Sequence, residues 1–267
     1  MTVPSPADIA IGALRWLEYV GLLAAVGMFV IRRLAANQPR IGWARPPLHL
    51  ALAAALVGGL AVVTAEGWAA AGSGALAFLL GGPAGWVRVA RIAAEALALV
   101  FCLRGMRLVA PAAVFAAAAV AFAGHAAAAR VMTGGIFIDA LHVLAAGMWG
   151  GGILALASLR PPGGWEGESA RALLGRFGRV AAIAFALTAL TGVLRATEEL
   201  RDLNDLWLTP YGVVLSLKAA GVLVMVALSA LVSRRGMRLG RAEAVLALVV
   251  IALTALLAAY PLTPAAA

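Results

Sequence analysis

The chain is poor in the residues that most often carry chemistry. It has one cysteine and three histidines, and 12% of its 267 residues are charged. A single cysteine, Cys102, excludes an internal disulfide and a metal centre built on two thiolates. No Ser-His-Asp set, glycine-rich phosphate loop or His-Glu-x-x-His motif occurs, so nothing points to hydrolysis, and no energy-coupling module is visible. Alternation with period two over segments of about ten residues is missing as well, which excludes a barrel. No basic stretch precedes the first apolar run and no cleavage site follows it. Residues 10–32 are therefore read as a retained first span and not as a signal peptide.

What is abundant is apolar surface. Hydrophobic residues make up 64% of the chain and the mean hydropathy is +0.99, against roughly 45–50% apolar residues in soluble domains. Apolar runs recur along the whole length, each long enough to cross a hydrocarbon layer of about 30 Å. The fold class expected is all-α integral membrane, one transmembrane domain over residues 1–267. Eight spans fit, at 10–32, 48–69, 87–104, 107–125, 136–158, 177–196, 211–233 and 241–260. The third carries Arg88, Arg91 and Glu95 and is the least apolar. The glycine-rich stretch 72–85 reads as a loop or re-entrant turn.

The formal net charge of +9 does not point to nucleic acid. Lys218 is the single lysine among 21 basic residues, and the arginines gather in alternate loops. Arg32, Arg33, Arg40 and Arg45 follow the first span. Arg104 and Arg107 follow the third, Arg160 to Arg179 the fifth, and Arg234 to Arg241 the seventh. The opposite loops hold Arg130, Arg195 and Arg201. By the excess of positive charge on the cytoplasmic side, both termini are expected outside, and the acidic loop 198–205 is external.

This orientation places the histidines. His125 falls at the outer end of the fourth span, and His142 within about two turns of the outer end of the fifth. Ionisable groups inside a bilayer are costly and point to function, and imidazole is the commonest protein ligand for metals. The two rings are expected to meet near the outer membrane surface as metal ligands, and His49 lies a membrane thickness away. Asp139 precedes His142 by three residues and shares its helical face, where it would orient the ring. Met148 falls about 120° round the helix from His142, whereas Trp149 is nearly aligned with it. Gly147 and Gly151 have the spacing that lets helices approach closely.

Spans 1 and 5 look alike. Leu17-Glu18-Tyr19-Val20, followed by Gly27 and Met28, echoes Leu141-His142-Val143-Leu144, followed by Gly147 and Met148. This reads as a parallel four-plus-four repeat and puts Glu18 at the position equivalent to His142. Glu18, Glu66, Glu95 and Asp139 thus stand as candidates for a further ligand or for a group that orients the ligands. Met28, Met148, Met225 and Cys102 are better read as packing than as stepping stones for Cu(I).

Three stretches carry a resemblance to a family. Gly124-His125-Ala126 leads to Leu141-His142-Val143-Leu144-Ala145-Ala146-Gly147-Met148-Trp149-Gly150-Gly151. Leu190-Thr191-Gly192-Val193-Leu194-Arg195-Ala196 follows. Thr209-Pro210-Tyr211-Gly212 then precedes Leu215-Ser216-Leu217-Lys218. Together, over residues 124–233, they resemble the copper resistance D family. The resemblance implies a multi-pass protein of the bacterial inner membrane that handles the copper ion. It also implies a separate periplasmic copper-binding donor and movement of copper inward; besides that donor, the lipid bilayer is the partner expected.

Three readings of the residues compete. The first is a copper transporter that takes copper at its outer face through His125 and His142. The second is a haem b electron-transfer protein, for which three histidines leave room for at most one haem. The third is a non-transporting scaffold or copper-sensing accessory subunit, whose polar groups would only hold helices together.

Overall fold

The computed structural model describes residues 3–123, 134–200, 202–235 and 240–260. Every described regular element is helical. Chain order gives α1 (Pro6–Ala36), α2 (Leu48–Ala71), α3 (Ala75–Leu80), α4 (Gly82–Leu103), α5 (Val109–Ala119), α6 (Gly134–Ala146), α7 (Gly152–Ala157), α8 (Glu168–Glu199), α9 (Asp205–Leu208), α10 (Pro210–Arg235) and α11 (Gly240–Leu257). A π-helical turn, Gly147–Gly151, joins α6 to α7.

Helices thus stand at all eight segments expected to be spans. Six stretches among the described residues are long and apolar enough to cross a membrane: Pro6–Ala36, Leu48–Leu80, Gly134–Ala157, Glu168–Glu199, Pro210–Leu231 and Gly240–Leu257. The other two fall short for different reasons. Helix α4 is long enough, but Arg88, Arg91 and Glu95 interrupt its apolar run. Helix α5, with the turn that follows it, covers only Val109–Phe122. The stretch expected to be a loop after α2 is itself mostly helical. Gly72, at φ 51°, ends α2 and Gly82, at φ 65°, opens α4; this left-handed backbone favours glycine. Between them the apolar run Ala75–Leu80 winds into α3.

Helix α1 is the axis of the bundle. Ser5 caps it: its Oγ accepts from the Asp8 amide at 3.2 Å, and an Asp8 carboxylate oxygen accepts from the Ser5 amide at 2.9 Å, the reciprocal arrangement that starts helices. Pro6 occupies the first turn, where its missing N–H costs nothing. At the other end Arg176, from α8, donates to the carbonyls of Leu34, Asn37, Gln38 and Pro39 at 2.9–3.1 Å. One guanidinium so satisfies carbonyls at the end of α1, where a positive charge is also favoured. Ala25, Ile31 and Leu22 of α1 pack with Leu48, Leu52 and Ala55 of α2 in the core. Half of the apolar window of α1 is buried, against 6% for α10, so α10 turns most of its surface outward.

Where α1 meets the π-helical turn, backbone lies on backbone. A Cβ on Gly27 would collide with Gly151 and one on Gly151 with the Leu23 carbonyl, while a Cβ on Gly147 would meet the Val26 side chain at 2.8 Å. The small residues expected to let the His142 helix approach a neighbour do so, and the neighbour is α1. The extra residue of a π turn needs room and unwinds the local register. Trp149, buried within it, stacks edge-on against Phe185 of α8 with ring centroids 5.0 Å apart.

Candidate functional site

Two charged clusters lie at the end of the bundle formed by the starts of α1, α4, α6 and α10. The ends of α2, α8 and α11 complete that end: Arg15 donates to the Ala258 carbonyl at 2.6 Å, and Tyr211 stacks on Tyr260.

The first cluster joins α6, α8 and α10. Asp139 and His142 are one turn apart on α6, and Thr191 and Arg195 one turn apart on α8, so the two pairs face each other across one helix contact. Asp139 pairs with Arg195, which also holds Glu199 at 2.7 Å. His142 Nδ1 lies 2.9 Å from Thr191 Oγ1. Asp139, expected to orient His142, is engaged by Arg195; the oxygen on the histidine ring is that of Thr191. A Cβ on Gly192 would come within 3.4 Å of His142 Cε1, so the glycine leaves room for the ring. Lys218, on α10, is within electrostatic reach of His142, Arg195 and Glu199.

The hydrogen bonds assign the tautomer of His142. The Thr191 hydroxyl donates to the Leu187 carbonyl at 2.6 Å and has one proton to give. If that proton stays on the Leu187 carbonyl, Oγ1 accepts from His142 and Nδ1 carries the hydrogen. The Nε2 lone pair is then the one free for a ligand, the arrangement in which a bond on one ring nitrogen fixes the other for metal. His125, the other expected ligand, lies outside the described residues. Among the described residues no three His, Cys, Asp or Glu side chains gather as a set that could hold a metal ion.

The second cluster joins α1, α2 and α4 and contains Glu18, Glu66 and Glu95. Glu66 lies 2.5 Å from Arg15 and 3.2 Å from Arg88. Glu18 lies 3.0 Å from Arg91, and Glu95 4.0 Å from the same nitrogen. All three carboxylates face arginines of their own cluster. Val143, Leu144 and Met148 of the α6 segment pack instead on Leu22, Val26, Ala94, Ala116 and Ala117. This apolar layer lines the contact between α6 and the helices that carry the second cluster.

The remaining candidates fall where packing was expected. His49 is exposed in the first turn of α2. Met28 and Met225 are core residues, Met148 lies against both apolar clusters, and Cys102 is half-buried beside the core.

Thr209, Pro210 and Gly212 prove to be building parts. Thr209 Oγ1 accepts from the Gly212 amide at 3.0 Å and starts α10. Ser216 Oγ donates to the Leu206 carbonyl at 3.0 Å, tying the short α9 to it. The roles of Thr191 and Arg195 were missed in the sequence. Their signal was there: two polar residues one turn apart on α8, matching Asp139 and His142 on α6.

Comparison with known proteins adds the family. Residues 171–257 match the family model for copper resistance protein D. The match runs from α8 to the end of α11 and includes Thr191, Gly192, Arg195 and Lys218. The chain is also 31% identical over 158 residues to the copper transport protein CutJ of Bacillus subtilis (strain 168), a match that covers 54% of this chain and 28% of that protein. The chain thus spans under a third of the length of this relative. No solved structure matches. Over residues 171–257, which include the Thr191–Arg195 face that holds His142 and Asp139, the chain is similar to the copper resistance protein D family.

Proposed function

We propose that the chain is an inner-membrane copper transporter that takes copper from the periplasm through His142 and His125 and moves it toward the cytoplasm. The observation that carries this reading is the 2.9 Å contact of His142 Nδ1 with Thr191 Oγ1, whose hydroxyl also lies 2.6 Å from the Leu187 carbonyl; with Nδ1–H on Thr191, Nε2 is left to a ligand. Imidazole suits copper in either valence. Copper is substrate here, so a site of few ligands suits transport, because a cargo ion must leave as well as bind. The family match and the name of the relative support copper as that cargo. The arginine-rich loops make their end of the bundle cytoplasmic. That puts His142 at the periplasmic end, within reach of a soluble donor protein, with α4 and α5 completing eight crossings and both termini outside. Helix α1 and the α6 segment, whose π-helical turn meets α1 at Gly27 and Gly151, are the counterparts in the four-plus-four repeat.

Metal content and copper uptake in proteoliposomes test this reading. The His125→Ala/His142→Ala protein is expected to lose both. If it binds and moves copper as well as the unaltered chain, the reading is wrong. A non-transporting scaffold is the second reading, favoured by the ion pairs that tie α1, α2 and α4 together. Copper that is bound but never moved by the unaltered chain would decide for it.

A further inference from the structure

Glu18 of α1 and Glu95 of α4 are both fully buried, at 0% exposure, with side chains directed to the same place inside the bundle, beside Arg91. Their carboxyl groups lie within hydrogen-bonding reach of each other. Arg91 faces both, 3.0 Å from Glu18 and 4.0 Å from Glu95. Even so, none of the four carboxyl oxygens finds a hydrogen-bond donor, and Arg91 Nε finds no acceptor in bonding geometry. Two carboxylates are two sets of acceptors; nothing joins them unless one carries a hydrogen. The four oxygens are sealed from solvent, and Gly58 of α2 sits against the Glu18 backbone and Gly59 against the Glu95 carboxyl, where any Cβ would collide. The glycine shapes a place for that carboxyl.

Among the described residues Arg91 is the one arginine within ion-pair distance of the pair. On α1, Arg15 and Tyr19 face it, Arg15 acting on Glu18 from farther off; on α2, Glu66; on α4, Arg91. Arg15 and Arg88 are both engaged by Glu66. Helix α5 contributes the alanines Ala116 and Ala117 against Ala94. One arginine at ion-pair distance therefore answers two buried carboxylates, and like charges in contact away from water do not both persist. A shared proton removes the excess charge and makes the missing hydrogen bond in one step.

We infer that Glu18 and Glu95 form a proton-binding site inside the bundle, holding one proton between them in exchange with water. Loading the proton turns one carboxylate into an acid that donates to the other. Release returns it to water and leaves two carboxylates against Arg91. The neighbouring Arg15, Glu66 and Arg88, with side chains 18%, 22% and 21% exposed, connect this end of the cluster to solvent. The inference does not depend on copper transport; it holds or fails for the chain alone.

Infrared spectroscopy of the full chain in lipid nanodiscs tests it. The unaltered chain at neutral pH is expected to show the carbonyl stretch of a protonated carboxylic acid. That band should shift in D2O and vanish on alkaline titration. The same band should be missing from Glu95→Gln and from Glu18→Gln, because either change leaves a single carboxylate paired with Arg91. If either variant does not fold, Glu95→Asp, which keeps the acid, must shift the band and not remove it. An unaltered chain with no such band overturns the inference. So does a band that survives both substitutions, or the loss of a different band in each.

Discussion

The two charged clusters occupy the same end of one bundle, and burial treats them differently. Around Arg91 the side chains are sealed in: Glu18 and Glu95 are inaccessible and Arg91 is 5% exposed. Around Arg195 the groups stay partly open, with the arginine side chain 21% and Glu199 18% exposed. The sealed cluster is crossed by glycine-mediated helix contacts; the open one lies beside α10, which buries little of itself. A sealed network holds helices together, whereas a partly open one can admit a ligand. The imidazole with a free nitrogen belongs to the open cluster.

The comparison is broken most directly at Arg91. Arg91→Ala leaves Glu18 buried without its partner, and such breakage costs about 3–5 kcal/mol. A large fall in the unfolding temperature of the detergent-solubilised chain is expected, and a shift of only a degree or two would show the cluster is not sealed. Thr191→Val comes next. It keeps the shape and removes the acceptor for His142 Nδ1–H, so copper affinity should fall about 10–100-fold, while Thr191→Ser should retain most of it. A competition titration reads both. Arg195→Gln leaves Asp139 without its partner at a less sealed site, so stability should fall by less than with Arg91→Ala; a loss as large as that of Arg91→Ala would erase the difference between the clusters. Smallest is Gly192→Ala. The added methyl touches the ring at ordinary contact distance, so copper affinity should fall less than with Thr191→Val. Equal losses would mean that ring space, and not the hydrogen bond, sets the site.

Much of this was legible in the sequence, for identifiable reasons. Apolar runs must become helices where the backbone has no other partner for its hydrogen bonds, so all eight segments are helical. The Gly147 and Gly151 spacing foretold a close helix contact. The partner of Asp139 was not legible. Residues sharing a face on one helix are visible in a sequence, but the residue opposite them depends on which helices meet, and Arg195 lies 56 positions away. The π-helical turn was hidden as well, because a wheel of 100° per residue assumes regular winding through Met148 and Trp149. The partition of the carboxylates was the largest departure. Glu18 looked like a counterpart of His142, yet it sits beside Arg91, on the far side of the layer where Val143 and Leu144 pack on Leu22 and Val26.

The central claim is that His142 presents Nε2 to copper because Thr191 holds Nδ1–H. Copper K-edge X-ray absorption of the purified chain loaded with one equivalent of Cu(I) tests it most directly. Imidazole scattering around the copper is expected, reduced in His142→Ala and unchanged in Glu18→Gln. An identical copper environment in the His142→Ala protein would contradict it.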